Sequence, residues 1–367
     1  MPKIACLTPL YFSDESCIGG GERYPLNLSQ GIVQSTGGAY TVEILSFGPK
    51  SRTWPIAPGL TMRVLEAARP PQHPLDVVSW ELPSALVDAD LVHIHQAYTR
   101  CTEMAILVAK QQGKPVVVTD HGGPSSTLGT SVGCLEMVDH IISYSDFGKA
   151  AYRVSTPITV VKGGVDGTMF TPPARRPERD RILYVGRLLP HKAIDRLITA
   201  CPADIPLTVC GRPYNPDYFE MLKKLAVGKD VQFVTDADDD TTLDFYRRSW
   251  ATVLPSVYRD CYGNTYLWPE LMGFTLLESM CCGTPAICSD VAAMPEFIID
   301  GVTGFVFKDL PMLTDRIRRL ASDPVLVETM GARARREIDQ VYDLRVAGAR
   351  FVEVYEPLIA RARGVAA

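Results

Sequence analysis

Short apolar runs alternate with segments of helical periodicity along most of the chain. Ile4-Ala5-Cys6-Leu7, Val42-Glu43-Ile44-Leu45, Leu91-Val92-His93-Ile94 and Val116-Val117-Val118 read as strands, and Cys101 to Gln112 as a helix. Near-continuous apolar strands separated by helices predict a parallel sheet covered on both faces. The alternation lapses after Lys162-Gly163-Gly164-Val165-Asp166 and across Thr171 to Arg179, whose prolines and arginines make it the linker candidate. It resumes with Ile182 to Arg187, Pro206 to Cys210, Val231 to Val234, Ala251 to Leu254 and Pro285 to Cys288. Helical patterns close the chain from about Met312 to Arg363, with Phe351, Tyr355 and Leu358 at helical spacing. The expected architecture is α/β: two doubly wound, Rossmann-like domains at 1–165 and 166–345, and a C-terminal helix, 346–367, returning to the first. Two such domains are expected to face each other across a cleft into which the carboxyl ends of their strands open, where ligands collect.

Composition narrows the function. At 367 residues and 46% hydrophobic the chain fills two cores. A formal net charge of -5 leaves no electrostatic footprint for nucleic acid. Met1 to Asp166 holds 12 Lys and Arg against 15 Asp and Glu, so the first half is not a basic surface for anionic lipid, and a small soluble acceptor is favoured over peripheral membrane contact. No stretch approaches the 18 apolar residues of a membrane span. The 10 cysteines are scattered without a Cys-x2-Cys pair and read as small apolar residues; with no signal-like start, the expected compartment is the cytoplasm.

The most informative segment runs Pro269-Glu270-Leu271-Met272-Gly273-Phe274-Thr275-Leu276-Leu277-Glu278-Ser279-Met280-Cys281-Cys282-Gly283-Thr284-Pro285. Its spacing puts Glu270 just before a helix and Glu278 on the first turns, so two carboxylates are placed to grip two sets of hydroxyls. A helix N-terminus between them presents unpaired amides and partial positive charge suited to a pyrophosphate. An acidic first turn that merely offsets the helix dipole is the alternative for such a pair taken alone.

Other candidates gather at strand ends. Cys17-Ile18-Gly19-Gly20-Gly21-Glu22-Arg23 follows the first strand, either a phosphate or acceptor loop or an ordinary glycine turn. Asp90 to His95 and Thr119-Asp120-His121-Gly122-Gly123 bring three of the six histidines to neighbouring strand ends, with His121 the candidate for substrate contact. Zinc lacks a supporting motif. Val185-Gly186-Arg187-Leu188-Leu189-Pro190-His191-Lys192 sets a guanidinium and an ammonium near a helix start, a pair able to neutralise a diphosphate. Asp236, Asp238, Asp239 and Asp240 read as a helix cap and solvated turn. The aromatic stretch Val257 to Pro269 serves either for sugar or base stacking or as a self-packed loop.

Taken in order, Gly19-Gly20-Gly21-Glu22, Val92-His93-Ile94-His95, Thr119-Asp120-His121-Gly122, Gly164-Val165-Asp166, Val185-Gly186-Arg187 with Lys192, Leu254-Pro255-Ser256, and Pro269-Glu270 through Gly283-Thr284-Pro285 resemble the retaining glycosyltransferases of family 4. The resemblance extends through Pro295-Glu296 and Gly301-Val302-Thr303-Gly304 and covers nearly the whole chain. It implies a GT-B fold with the nucleotide sugar, as co-substrate, held mainly by the second domain, and no cofactor. Arg187 and Lys192 would bind the donor diphosphate beside Gly186, and Glu278 the ribose hydroxyls. Glu270 and the amides around Gly273, Phe274 and Thr275 would hold the transferred sugar. His121 would touch the sugar from the first domain, and Gly20 and Gly21 would border the phosphate and acceptor. The chain departs from the family pattern at Gly163, where Asn is common, at Ala193, where Gly is usual, and at Met272-Gly273 with its preceding aromatic loop.

The resemblance implies transfer of a hexosyl group from a nucleoside diphosphate sugar, UDP-linked, with retention and without metal, to a hydroxyl of a small or glycan acceptor. Alternatives of the same architecture are a sugar-nucleotide epimerase, a phosphorylase, or a nucleotide-sugar-binding protein without catalysis. Monomer and homodimer both stay open.

Overall fold

The computed structural model describes residues 1–9, 20–69, 77–122, 133–175 and 178–364. It divides into two compact units, Met1–Gly164 with Asp343–Ala367, and Val165–Tyr342.

The first unit is built on an eight-stranded sheet: β1 (Lys3–Leu7), β2 (Thr41–Gly48), β3 (Arg52–Ala57), β4 (Leu60–Glu66), β5 (Leu91–His95), β6 (Val116–Thr119), β7 (His140–Ser143) and β8 (Ile158–Val160). The spatial order is β3-β4-β2-β1-β5-β6-β7-β8, parallel except for the β3-β4 hairpin. That hairpin escapes the apolar pattern because Arg52 to Ala57 alternates polar and apolar along an edge, where Pro55 is tolerated. Its turn is Pro58-Gly59, with Gly59 at φ 79°. Helices α1 (Gly20–Ser35), α2 (Leu82–Ala85), α3 (Arg100–Gln111) and α4 (Asp146–Lys149) connect the strands. Leu7, Val92, Ile94, Val116, Ile106 and Ala109 pack in a core that solvent does not reach. Burial of apolar area on this scale is the main term holding the sheet and helices together.

The second unit carries β9 (Arg181–Val185), β10 (Leu207–Cys210), β11 (Val231–Val234), β12 (Ser249–Leu254), β13 (Ala286–Ser289) and β14 (Gly304–Phe307), in the order β11-β10-β9-β12-β13-β14. All pairs are parallel; β9 pairs Ile182 with Leu207 of β10 and Leu183 with Thr252 of β12. The chain winds outward in both directions from β9, so the topological switch point lies between the carboxyl ends of β9 and β12, where such sheets take ligands. Around it run α5 (Ile194–Ala200), α6 (Pro216–Leu225), α7 (Asp239–Arg248), α8 (Phe274–Cys281), α9 (Leu310–Ser322) and α10 (Pro324–Glu337). Asp238 caps α7 through the Thr241 amide, the role its acidic neighbourhood suggests.

The last helix, α11 (Leu344–Ala362), rejoins the first unit. A Cβ on Gly31 of α1 would lie 2.0 Å from the Leu344 carbonyl oxygen, and one on Gly348 would lie 2.2 Å from the Gly31 carbonyl carbon. The two helices therefore cross with their backbones in contact, a geometry only glycine allows. The chain passes between units at Gly164-Val165 and again at Tyr342-Asp343, not at 165/166 and 345/346. Asp343 already caps α11 by accepting from the Arg345 amide, which commits the preceding junction.

The stretch Thr171 to Arg179 is not an interdomain linker. Thr171 accepts from the Arg247 guanidinium, and Arg179 bonds Thr284 Oγ1 and the Gly283 carbonyl, so its described residues belong to the second unit; Arg176 and Pro177 lie outside them. The actual passage is Gly163-Gly164, at φ 100° and 99°, anchored where Asn27 Nδ2 donates to the Gly164 carbonyl at 3.0 Å. No helix among the described residues is long and apolar enough to cross a membrane. Nine cysteines are described, none in a disulfide.

Candidate active site

In the second unit the loops after β9 and β10 approach backbone to backbone. Gly186 has φ 152° and Gly211 φ 148°, and a Cβ on Gly211 would lie 1.8 Å from the Gly186 oxygen. The Tyr184 hydroxyl braces the same turn by donating to the Arg187 carbonyl at 2.9 Å. Beyond it Arg187 is exposed, and a 3-10 turn, Pro190–Lys192, delivers Lys192 to the switch point.

Lys192 Nζ forms an ion pair with Glu270 Oε1, and Ser256 Oγ donates to the same oxygen at 2.9 Å. Both charged side chains are only 13% and 11% exposed, so the pair is weakly screened and each partner has few alternative ligands. Ser256 follows β12 and Glu270 precedes α8, so the turn after β9, the end of β12 and the approach to α8 converge here. Gly273 starts α8 at φ 75°; a Cβ there would crowd Leu276 and Leu254 at 3.2 and 3.3 Å. No side chain caps that N-terminus, which leaves Phe274 and Thr275 at a helix end suited to an anion.

Glu278 is 6% exposed, and its Oε2 accepts a 2.7 Å hydrogen bond from Tyr246 of α7. Burial, with the Glu278 charge added, pushes the Tyr246 phenol well above its ordinary range, so it stays a donor. The aromatic stretch closes on Asp260. Its carboxylate accepts from the amides of Tyr262 and Asn264 at 2.9 Å, from Asn264 Nδ2 at 3.0 Å and from the Tyr266 hydroxyl at 3.1 Å. Burial pushes Asp260 up, but these bonds outweigh it and hold the carboxyl below its usual range. The Tyr266 ring also packs against His191, tilted by 37° with centroids 4.7 Å apart; burial and the adjacent Lys192 push His191 down to about 4. The loop is packed by its own side chains, yet Tyr258 and Tyr262 remain exposed on it.

The first unit holds a separate cluster. His93 links Thr119 Oγ1 at 2.9 Å to the Tyr355 hydroxyl of α11 at 2.7 Å. His95 Nδ1 meets His121 Nε2 at 3.1 Å, and the Tyr144 hydroxyl bonds His121 Nδ1. Tyr24 packs edge-on against Tyr144, with ring centroids 4.6 Å apart. Burial pushes His93 and His121 down to about 3 and His95 well below its ordinary value, so the cluster is neutral near pH 7. A neutral His121 exchanges hydrogen bonds but supplies no positive charge. A Tyr144 O–H donating to Nδ1 places the His121 proton on Nε2, aimed at His95. Of the glycine loop, Cys17 to Gly19 and the Glu22 side chain lie outside the described residues; Gly20 and Gly21 open α1.

Among the predicted residues Lys192 and Glu270 are brought into contact, and Gly186, Arg187, Gly273, Phe274, Thr275 and Glu278 belong to the same unit. Gly20, Gly21 and His121 belong to the other. Tyr246, Tyr144 and Tyr24 carry no motif, because a single tyrosine on an apolar helix face or strand end reads as core. No group of three or more His, Cys, Asp or Glu among the described residues could hold a metal ion.

Two family models match adjoining parts of this chain, together residues 18–337. One, described as Glycosyltransferase Family 4, matches residues 18–169, and the other, Glycosyl transferases group 1, matches residues 167–337. The chain belongs to glycosyltransferase family 4. A glycogen synthase of Mycobacterium tuberculosis is 26% identical over 92% of this chain and 91% of its own length. Among solved structures, the sucrose-phosphate synthase of Thermosynechococcus elongatus superposes with a TM-score of 0.72 at 20% identity, covering 98% of this chain and 100% of its own. Anabaena HepE, solved in complex with UDP and glucose, gives 0.71 at 16% identity, covering 97% and 100%. The family 4 chain therefore has the GT-B fold, and it is a glycosyltransferase of that type.

Proposed function

We propose that the protein moves a hexosyl group from a UDP-sugar to a hydroxyl of a small soluble or glycan acceptor, with retention of anomeric configuration and without a metal ion. The observation that carries this is the Lys192–Glu270–Ser256 contact at the switch point of the second unit's sheet, beside the glycine turn at Gly186 and the uncapped start of α8. An ammonium held in place there by a carboxylate and a hydroxyl is suited to a diphosphate. The amides at Phe274 and Thr275 suit the same anion. Glu278, steadied by Tyr246, is suited to a pair of ribose hydroxyls. HepE, of the same fold, binds UDP and glucose.

In the proposed step the bond between the anomeric carbon and the β-phosphate oxygen breaks, and an acceptor oxygen bonds that carbon from the same face. The acceptor proton passes to a donor phosphate oxygen, so no protein nucleophile is consumed. Lys192 and Arg187 offset the charge building on the leaving diphosphate, and Glu270 turns to the sugar hydroxyls. Removing one such electrostatic donor typically slows turnover by about 100-fold or more. His121, neutral, contributes a hydrogen bond rather than charge.

The test is calorimetry and product analysis with UDP-, GDP- and dTDP-sugars in the presence of EDTA. Saturable UDP-sugar binding, transfer that survives EDTA and an unchanged anomeric configuration by NMR are expected. Preference for another base, inversion, or loss of activity with EDTA each overturns the corresponding part.

A further inference from the structure

The first unit contains a pocket of about 270 Å³ that none of the chemistry above uses. It opens where β5 ends. Gln96, at φ 77°, turns the chain there, and Asp120 Oδ1 receives the Ala97 amide at 2.9 Å. A non-glycine residue in the left-handed region is uncommon, and such positions concentrate where a loop is shaped for a ligand. The pocket is lined by the first two turns of α3, with Glu103 and Ile106, by Cys134, Leu135 and Glu136 of the 3-10 turn Cys134–Met137, and by Ala151, Arg153 and Val154.

The lining is largely apolar, with two carboxylates: Glu103 on α3, and Glu136 on the 3-10 turn, whose Oε2 already accepts from Ser155 Oγ at 2.9 Å. Glu103 Oε1 is sealed from solvent and receives no hydrogen bond from the described residues. Burial raises the Glu103 carboxyl, and Arg100 only partly opposes this. The same charge adds to burial in raising the Cys134 thiol, which also lines the pocket. The dipole of α3 compensates part of it. Arg153, at the rim, is exposed and donates back to the Ala150 carbonyl at 3.2 Å. A carboxylate beside apolar walls and short of donors gains most from a cation whose body those walls enclose.

We propose that this pocket binds a small organic cation, a protonated amine carried on a compact apolar ring. The ring lies against Ile106, Leu135 and Val154, and the ammonium faces the Glu103 carboxylate. A volume just below the roughly 300–1,000 Å³ of small-molecule sites limits the occupant to about one ring. The site lies wholly within the first unit, and its occupancy is independent of the donor chemistry proposed above.

Calorimetry on the full chain at pH 7 with three probes of one shape decides it: cyclohexylamine, cyclohexanol and cyclohexanecarboxylate. Cyclohexylamine is expected to bind, cyclohexanol about tenfold more weakly as a charge-assisted bond is lost, and cyclohexanecarboxylate not measurably. Glu103→Gln is expected to reduce cyclohexylamine to the level of cyclohexanol, and Ala151→Phe, which fills the rim, to abolish both. Absence of cyclohexylamine binding, equal binding of the amine and the carboxylate, or amine binding indifferent to both substitutions overturns the assignment. Should either variant fail to fold, the three probes on the wild-type chain still discriminate.

Discussion

Tyr246 Oη donates a 2.7 Å hydrogen bond to Glu278 Oε2, joining two buried side chains on α7 and α8. The bond matters because a buried carboxylate oxygen needs a donor, and Tyr246 supplies one to Oε2. It keeps the Glu278 side chain in one orientation before any ligand arrives.

Tyr246→Phe is therefore expected to weaken UDP binding roughly tenfold, since an unsatisfied buried acceptor costs on the order of 1–3 kcal/mol. Turnover at saturating donor should change little, because the phenol touches no reacting atom. Calorimetry with UDP and a kcat against KM comparison check this; a fall in kcat with unchanged UDP affinity would remove the positioning role.

The pairing of Lys192 with Glu270 sets up a competition between the carboxylate and the donor diphosphate for one ammonium. Glu270→Gln takes away the competitor, so UDP should bind more tightly than in the wild type. Catalysis should still fall by about 100-fold, because Glu270 also serves the sugar in the proposed step. Lys192→Ala, by contrast, should lose both affinity and rate. Equal UDP affinity in wild type and Glu270→Gln would show that the ion pair places no restraint on the lysine.

The histidine cluster gives the first unit a pH dependence of definite sign. His93 falls from an ordinary value of 6.5 to about 3, chiefly through burial, so the unfolded chain takes up a proton that the folded unit refuses. Its stabilising contribution is complete above pH 6.5 and is lost as pH falls from there toward 3. The slope is up to about 1.4 kcal/mol per pH unit for each such histidine. Urea midpoints measured from pH 7 to pH 4 should decline, and His93→Gln, which cannot titrate, should decline less steeply. Parallel slopes would mean that His93 titrates alike in both states.

Much of this was legible in the sequence because the relevant signals are local. The strands β1, β5, β6, β9 and β12 are near-continuous apolar runs, and the start of α8 was readable from Gly273 and the periodicity after it. The β3–β4 hairpin was not, since an edge strand half-exposed to water loses its apolar run. Lys192 with Glu270 could be nominated but not joined, because 78 positions separate them and only the sheet brings β9 and β12 side by side. Tyr246 and Tyr144 had no signature at all: their function lies in which polar atom a buried ring reaches. The Pro and Arg stretch at 171–179 misled for a related reason, as Arg179 is consumed by contacts with Thr284 and Gly283 that no local pattern announces.

Ala193 joins the turn of Lys192 to α5 with φ 53° and ψ 40°, a left-handed conformation in which a Cβ is strained by about 1–2 kcal/mol. Glycine relieves that strain but loses more entropy on folding, by roughly 0.5–1 kcal/mol. Ala193→Gly is expected to stabilise the second unit by about 1 kcal/mol, visible as a small rise in its thermal midpoint. A lowered midpoint would place Ala193 outside the left-handed region in solution.

The crossing of α1 and α11 allows a test in which two effects of one substitution oppose each other. Gly348→Ala improves helix propensity by about 1 kcal/mol. It also places a methyl carbon 2.2 Å from the Gly31 carbonyl carbon and 2.6 Å from the Ile32 nitrogen, backbone atoms that move only if the helices separate. Overpacking typically costs about 1–3 kcal/mol, and more against backbone that cannot give way, so the collision should win, with a net loss of roughly 1 kcal/mol or more in the first unit. Ala349→Gly, at the exposed neighbouring position, loses propensity alone and should cost about 1 kcal/mol. Denaturant unfolding of both variants separates the terms: a Gly348→Ala chain as stable as the wild type, or more so, would show that α11 does not lie against α1 at glycine distance.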